Sequence, residues 1–129
     1  MKDFTPYGLI LGIIIIVGLG IGEQYYLENV SKELSSDILI AEEMFLAGNL
    51  ENSINTLQNT MEKWAKHEKI LETMLNHEEI HKISDSLIEI DSKLKNFSSS
   101  SNVSANFALL KEYIINIGQG NKFIISNVL

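Results

Sequence analysis

The sequence predicts an all-α protein, with an N-terminal transmembrane helix that continues into an antiparallel bundle of about four helices. Three observations carry that prediction. Phe4 to Gly22, FTPYGLILGIIIIVGLGIG, is a run of nineteen residues without Asp, Glu, Lys, Arg or His, closed off by Lys2, Asp3 and Glu23. Beyond it, apolar residues recur every three or four positions, the period of a helix with one buried face. The breaks between these stretches, at Gly48-Asn49, at Asn76 and at 98–102, are short, which makes consecutive helices antiparallel neighbours.

The first element is the apolar run. About 20 apolar residues in an α-helix cover the roughly 30 Å of a bilayer's hydrocarbon. Tyr7 at one end, and Tyr25 with Tyr26 at the other, stand where amphipathic rings favour the membrane–water interface. A cleavable signal peptide has an apolar core of about 7–15 residues and a small-x-small cleavage site. The run here is longer, Gly18-Leu19-Gly20 and Gly20-Ile21-Gly22 are poor versions of that site, and helical pattern resumes at once at Glu23. The expectation is therefore an uncleaved anchor over residues 1–22 and a helical domain over 23–129. Lys2 and the terminal amine lie on the short side, whereas the first lysine on the long side is Lys32. The positive-inside rule then places the N-terminus in the cytoplasm and the domain outside the cell membrane. That arrangement leaves too few cytoplasmic residues for an output domain, so anything sensed outside has to be relayed by a partner. Gly8/Gly12 and Gly18/Gly22 form two small-xxx-small pairs, and at 100° per residue all four fall on one arc of about 120°. Small residues on one face let helix backbones approach closely in lipid, which marks these four as a candidate contact face for a second membrane helix.

The outer chain divides into four helical stretches and a tail. Over about 23–47 the apolar positions are Leu27, Val30, Leu34, Ile38, Ala41 and Phe45; Gly48 stops this helix and Asn49 caps the next. Over 50–75 they are Leu50, Ile54, Leu57, Met61, Trp64, Leu71 and Leu75, interrupted by His67 and Glu68, where a bend or a solvated notch is expected. Asn76 with Glu79 resembles a capping box and opens a helix over 77–97, with Ile80, Ile83, Leu87, Ile90, Leu94 and Phe97 inside. Its wet side offers the pairs Glu78–Lys82, Glu89–Lys93 and Asp91–Lys95. Val103, Phe107, Leu110, Ile114 and Ile117 mark a last helix over 102–117, which Gly118 and Gly120 are expected to end. The apolar tail 119–129 is expected to dock on the helices.

Composition removes several functions. The net charge is −7 with pI near 4.9, and all ten basic residues are lysines. An acidic chain without arginine has no bidentate guanidinium to offer a phosphate, so nucleic acid is not an expected partner. Without cysteine there is no disulfide, thiolate metal site or cysteine nucleophile.

One motif suggests chemistry. His77-Glu78-Glu79-Ile80-His81 matches H-E-x-x-H, in which two imidazoles at i and i+4 grip zinc while the glutamate acts as base. A catalytic zinc needs a third protein ligand. Ser84 stands where the extended motif has glycine, no histidine follows His81, and Glu89 or Glu112 lacks any flanking signature. His77 and His81 are thus an outside chance as metal ligands, and no cofactor is expected. The Glu42/Glu43 and Glu78/Glu79 pairs are adjacent, so they diverge around a helix rather than converge on a substrate.

Glu23-Gln24-Tyr25-Tyr26, the Gly48-Asn49 break, Trp64, His77-Glu78-Glu79-Ile80 and Asn127-Val128-Leu129 together resemble the small single-span membrane proteins of Gram-positive spore-forming bacteria catalogued as domain of unknown function 4363. The resemblance runs the length of the chain. The resemblance implies a tryptophan where this chain has Leu50 and an aspartate where it has His81, and with them that the zinc-like motif is incidental to this member. The resemblance implies a membrane-anchored helical domain without known activity, often encoded beside a multi-span membrane protein, and it carries over no catalytic residues. The expected role is a non-catalytic interaction or accessory subunit whose partner is another membrane protein or a second copy. The alternative is an extracytoplasmic ligand-binding or sensing bundle, and the remote one is a zinc metallopeptidase.

Overall fold

The computed structural model describes residues 4–97 and 102–128, with side chains for 6–97 and 102–119. Four helices make up the fold: α1 (Phe4–Leu46), α2 (Leu50–Leu71), α3 (His77–Lys95) and α4 (Val103–Val128). No strand occurs among the described residues. Each helix packs on the next and α4 closes back on α1, so the four form a ring in up-down-up-down order. The α1–α4 seam is the most extensive of the four.

The apolar run and the first bundle helix are one rod. α1 has 43 residues, roughly 64 Å at 1.5 Å per residue. Nothing between Gly22 and Leu27 breaks it, so the helix passes from a largely exposed apolar half into a half with one buried face. That face carries Leu27, Val30, Leu34, Ile38 and Ala41. Facing them are Leu57, Trp64 and Leu71 of α2, Ile80 to Leu94 along one side of α3, and Val103, Phe107, Leu110, Ile114 and Ile117 of α4. The alternating three- and four-residue steps are those of helices packed side by side at a shallow angle.

The connections explain where each helix stops. Gly48 adopts φ +82°, with Asn49 N–H donating to the Met44 carbonyl (2.9 Å) and Gly48 N–H to that of Phe45 (3.1 Å). This is a Schellman end, which needs a left-handed residue and so favours glycine. Asn49 then accepts from the Asn52 amide through its side chain. α2 ends at Leu71, one turn before the expected Leu75. There the Thr73 hydroxyl and amide both take the Ile70 carbonyl, and Met74 N–H moves to that of Leu71. A hydroxyl that competes for the ladder in this way stops a helix. Met74 and Leu75 still fold against the core. Asn76 caps α3 by accepting from the Glu78 amide at 3.1 Å, and Asn96 closes the helix through the Ser92 carbonyl, two residues before the expected Phe97. Phe97 lies just beyond, edge-on to Phe45 with centroids 5.3 Å apart.

The last helix corrects the expectation at its C-terminal end. Gly118 and Gly120 do not terminate it; α4 runs on to Val128. Gly118 serves a different need, because a Cβ there would stand 2.7 Å from the Ser31 Cβ. The close approach of α1 requires the glycine. The expected docking of the tail's side chains, 120–129, and the loop at 98–101 lie outside the described residues.

Candidate functional site

Polar chemistry in this bundle lies along its seams, and α2 shows why. Its inward positions follow Ser53, Leu57, Thr60, Trp64, His67 and Leu71, a stripe rotated by one position from the purely apolar one. Ser53 and Thr60 are buried because each hydroxyl has a carbonyl to bond: Ser53 donates to Ala41 at 2.7 Å across the α1 seam, and Thr60 to Thr56 within its own helix at 2.9 Å. Buried hydroxyls paired in this way cost little.

His67 does not open a solvated notch. Its Nδ1 shares a 2.7 Å hydrogen bond with the Tyr26 hydroxyl, and its Nε2 faces a Glu33 carboxylate oxygen at 3.8 Å. A proton on Nε2 satisfies both contacts. Lys63 continues the line, 3.5 Å from Glu33 and 2.9 Å from Asp37. Burial, with the Glu33 charge adding to it, pushes the Tyr26 phenol above its ordinary range. The hydrogen bond and charge of Asp37, more than those of Glu33, hold the Lys63 ammonium above its own. Glu68, the other polar interruption, turns toward α3. Trp64 Nε1–H donates to Ser84 Oγ at 2.8 Å, and Ser84 donates on to Glu68 at 3.3 Å.

The α1–α4 seam has its own polar rung near the apolar half of α1. Gln24 donates to the Gly118 carbonyl at 2.8 Å and to Glu28 at 3.1 Å, and Ser31 donates to the Ile114 carbonyl at 2.9 Å. Higher up, Lys111 of α4 reaches Glu42 at 2.6 Å. The sequence reading missed this rung, although Gln24, Ser31 and Gly118 were visible as polar or small residues beside the apolar stripes.

Two recesses among the described residues border these polar groups. One of about 200 Å³ is lined by Met61, Trp64, Glu68, Ser84 and Ile88 between α2 and α3. An open polar groove of about 400 Å³ runs along Asp37, Thr56, Asn59, Lys63 and Lys66. Neither is an enclosed apolar cavity of the kind that buries most of a small ligand.

The residues singled out from the sequence fall into separate places. Gly8, Gly12, Gly18 and Gly22 lie along one side of the apolar half of α1, and beyond the helix's own neighbouring backbone no atom of the described residues comes within 4 Å of a Cβ built on any of them. Tyr7 and Tyr25 are exposed on the same helix, whereas Tyr26 is turned into the α1–α2 seam. His77 and His81 sit exposed on the first turns of α3, ring centroids 6.1 Å apart. Among the described residues no group of three or more His, Cys, Asp or Glu side chains is placed to hold a metal ion. Glu89 is engaged by Lys93 at 3.3 Å. Lys82, expected to pair with Glu78, instead stands 5.7 Å from the Tyr113 ring centroid, a cation–π arrangement.

These features define a class: a small four-helix bundle carried on one long helix whose first half is apolar enough and long enough to cross a membrane. The chain belongs to the family described as domain of unknown function (DUF4363), which matches residues 21–128. The matched residues begin in the last turn of the apolar run and take in the whole bundle. No curated protein and no solved structure matches the chain.

Proposed function

We propose that the protein is a non-catalytic, membrane-anchored interaction subunit, with the first half of α1 as its span and the glycine face of that span as part of its binding surface. One observation carries this reading: Gly8, Gly12, Gly18 and Gly22 leave an open strip on α1 that no other part of the described chain covers. In lipid, such a strip lets a second helix approach to backbone distance, where dispersion and Cα–H contacts replace the hydrophobic effect as the driving force. The partner is a helix of another membrane protein or of a second copy. The N-terminus faces the cytoplasm and the acidic bundle the outside, following the lysine distribution.

Co-purification of the intact protein from gently solubilised membranes, after cross-linking in situ, tests the reading. A stable complex is expected with the native chain. Replacing Gly8, Gly12, Gly18 and Gly22 by leucine is expected to preserve insertion and abolish capture. Recovery of monomer alone, at normal abundance, overturns the proposal, and capture unchanged in the leucine variant reduces the segment to a tether.

A further inference from the structure

The α1–α4 seam points to a second contact with the bilayer. Gln24 and Ser31 fix the register of the two antiparallel helices, bonding to the carbonyls of Gly118 and Ile114. From that level α4 continues helical for ten more residues, Gln119 to Val128, which is roughly 15 Å at 1.5 Å per residue. Over the same distance α1 descends from Gln24 into its apolar half. The end of α4 therefore runs past Glu23, the polar limit of the anchor, and comes level with its middle.

We propose that residues 119–128 of α4 enter the bundle-facing leaflet beside α1, so that one full span and one half-span hold the protein in the membrane. The proposal rests on the reading of Phe4–Gly22 as a span. Three further observations support it. Phe123, Ile124, Ile125 and Val128 supply apolar side chains to this stretch, which has no ionisable residue after Lys122. Lys122 lies one turn beyond Gly118, close to the boundary, where a lysine can keep its ammonium among the headgroups. The contact that leads α4 downward is of the kind helices use in lipid. A glycine sits against a serine with no room for a Cβ, and side-chain donors bond to backbone carbonyls of the neighbouring helix.

The chain has no cysteine, so single-cysteine variants of the full-length protein can each carry one environment-sensitive fluorophore in phosphatidylcholine–phosphatidylglycerol vesicles. Phe123→Cys, Ile124→Cys and Ile125→Cys sample three directions around the helix, 100° apart. Ile14→Cys is the control for the span and Ser104→Cys, exposed at the far end of α4, for water. The expected result is that labels at all three test positions resist aqueous iodide, and that at least one loses most of its emission to nitroxide on the acyl chains. Ile14 should lose its emission to nitroxide and Ser104 to iodide. Iodide access at positions 123–125, or shielding there from both quenchers, overturns the half-span while the Ile14 label still reports the anchor. Iodide access at Ile14 overturns the span itself.

Discussion

Ser31 and Gly118 meet across the α1–α4 seam with no space for one more carbon: a Cβ on Gly118 would lie 2.7 Å from Ser31 Cβ and 2.8 Å from Ser31 Oγ. Both obstructing atoms belong to a short side chain already committed to the Ile114 carbonyl. It cannot swing away without losing that bond. Gly118→Ala must therefore push the helices apart, and overpacking of this kind costs about 1–3 kcal/mol. Ser31→Gly removes the obstruction, so Ser31→Gly/Gly118→Ala should be less destabilised than the sum of its parts. Ser31→Ala/Gly118→Ala, which keeps the obstructing Cβ, should show no such recovery. Thermal melts of the full chain in nanodiscs measure the coupling; additive effects would mean that the two residues do not share the contact.

Trp64 is the chain's single tryptophan and is buried, which makes it a reporter of the α2–α3 seam. Its Nε1–H has Ser84 Oγ as partner, and Ser84 leads on to Glu68. Ser84→Ala keeps the helix but strands the indole donor at a nearly dry position, a loss of about 1–3 kcal/mol. Ser84→Thr keeps the hydroxyl and should retain most of the stability. Tryptophan emission during denaturant unfolding reads both variants directly, and equal midpoints for Ala and Thr would show that the hydrogen bond contributes nothing.

His77 and His81 give a sharp negative expectation. Two exposed imidazoles without a third ligand among the described residues form an incomplete site. Adding zinc or removing it with a chelator should leave the melting temperature of the native chain unchanged. A rise with zinc that His77→Ala and His81→Ala each abolish would establish a metal site, since a ligand that binds only the folded state stabilises by mass action.

The core of α3 was legible in the sequence as far as Leu94, because Ile80, Ile83, Leu87, Ile90 and Leu94 are all apolar and evenly spaced, whereas Phe97, expected inside, is exposed beyond the helix end. α2 was less so. Ser53, Thr60 and His67 occupy inward positions there, and periodicity in hydrophobicity cannot see a hydroxyl that is buried because it has found a carbonyl. The sequence placed the end of α4 at Gly118 for a similar reason. Glycine signals a helix end when judged locally, whereas this one answers to a partner helix 87 positions earlier, at Ser31. Close approach between distant segments has no local signature. The glycine strip on α1 was readable from spacing alone because it needs only the geometry of one helix.

Alkaline pH should weaken the α1–α2 seam, through two groups whose shifts act in the same direction. Lys63, ordinarily near 10.5, is held higher by Asp37 and Glu33. A base with a raised folded pKa contributes stability that is fully present below its unfolded pKa and is lost as pH rises through the folded one. Tyr26, ordinarily near 10.0, is raised by burial and by Glu33. The unfolded chain ionises this phenol first, so the folded state is penalised over the same rise in pH. The Lys63 side chain is 44% exposed, and solvent screens its share, which leaves Tyr26 as the steadier contributor. The melting temperature of the full chain in nanodiscs should therefore be flat between about pH 8 and 9.5 and fall above about pH 10. Tyr26→Phe should lower the plateau slightly, by removing the bond to His67, and make the alkaline fall shallower. Lys63→Met should make it shallower by a smaller amount. Phenolate absorbance offers an independent check, because the difference between the native chain and Tyr26→Phe isolates one titration, which should lie above 10.0. An alkaline slope identical in all three proteins would place the pH dependence outside this seam.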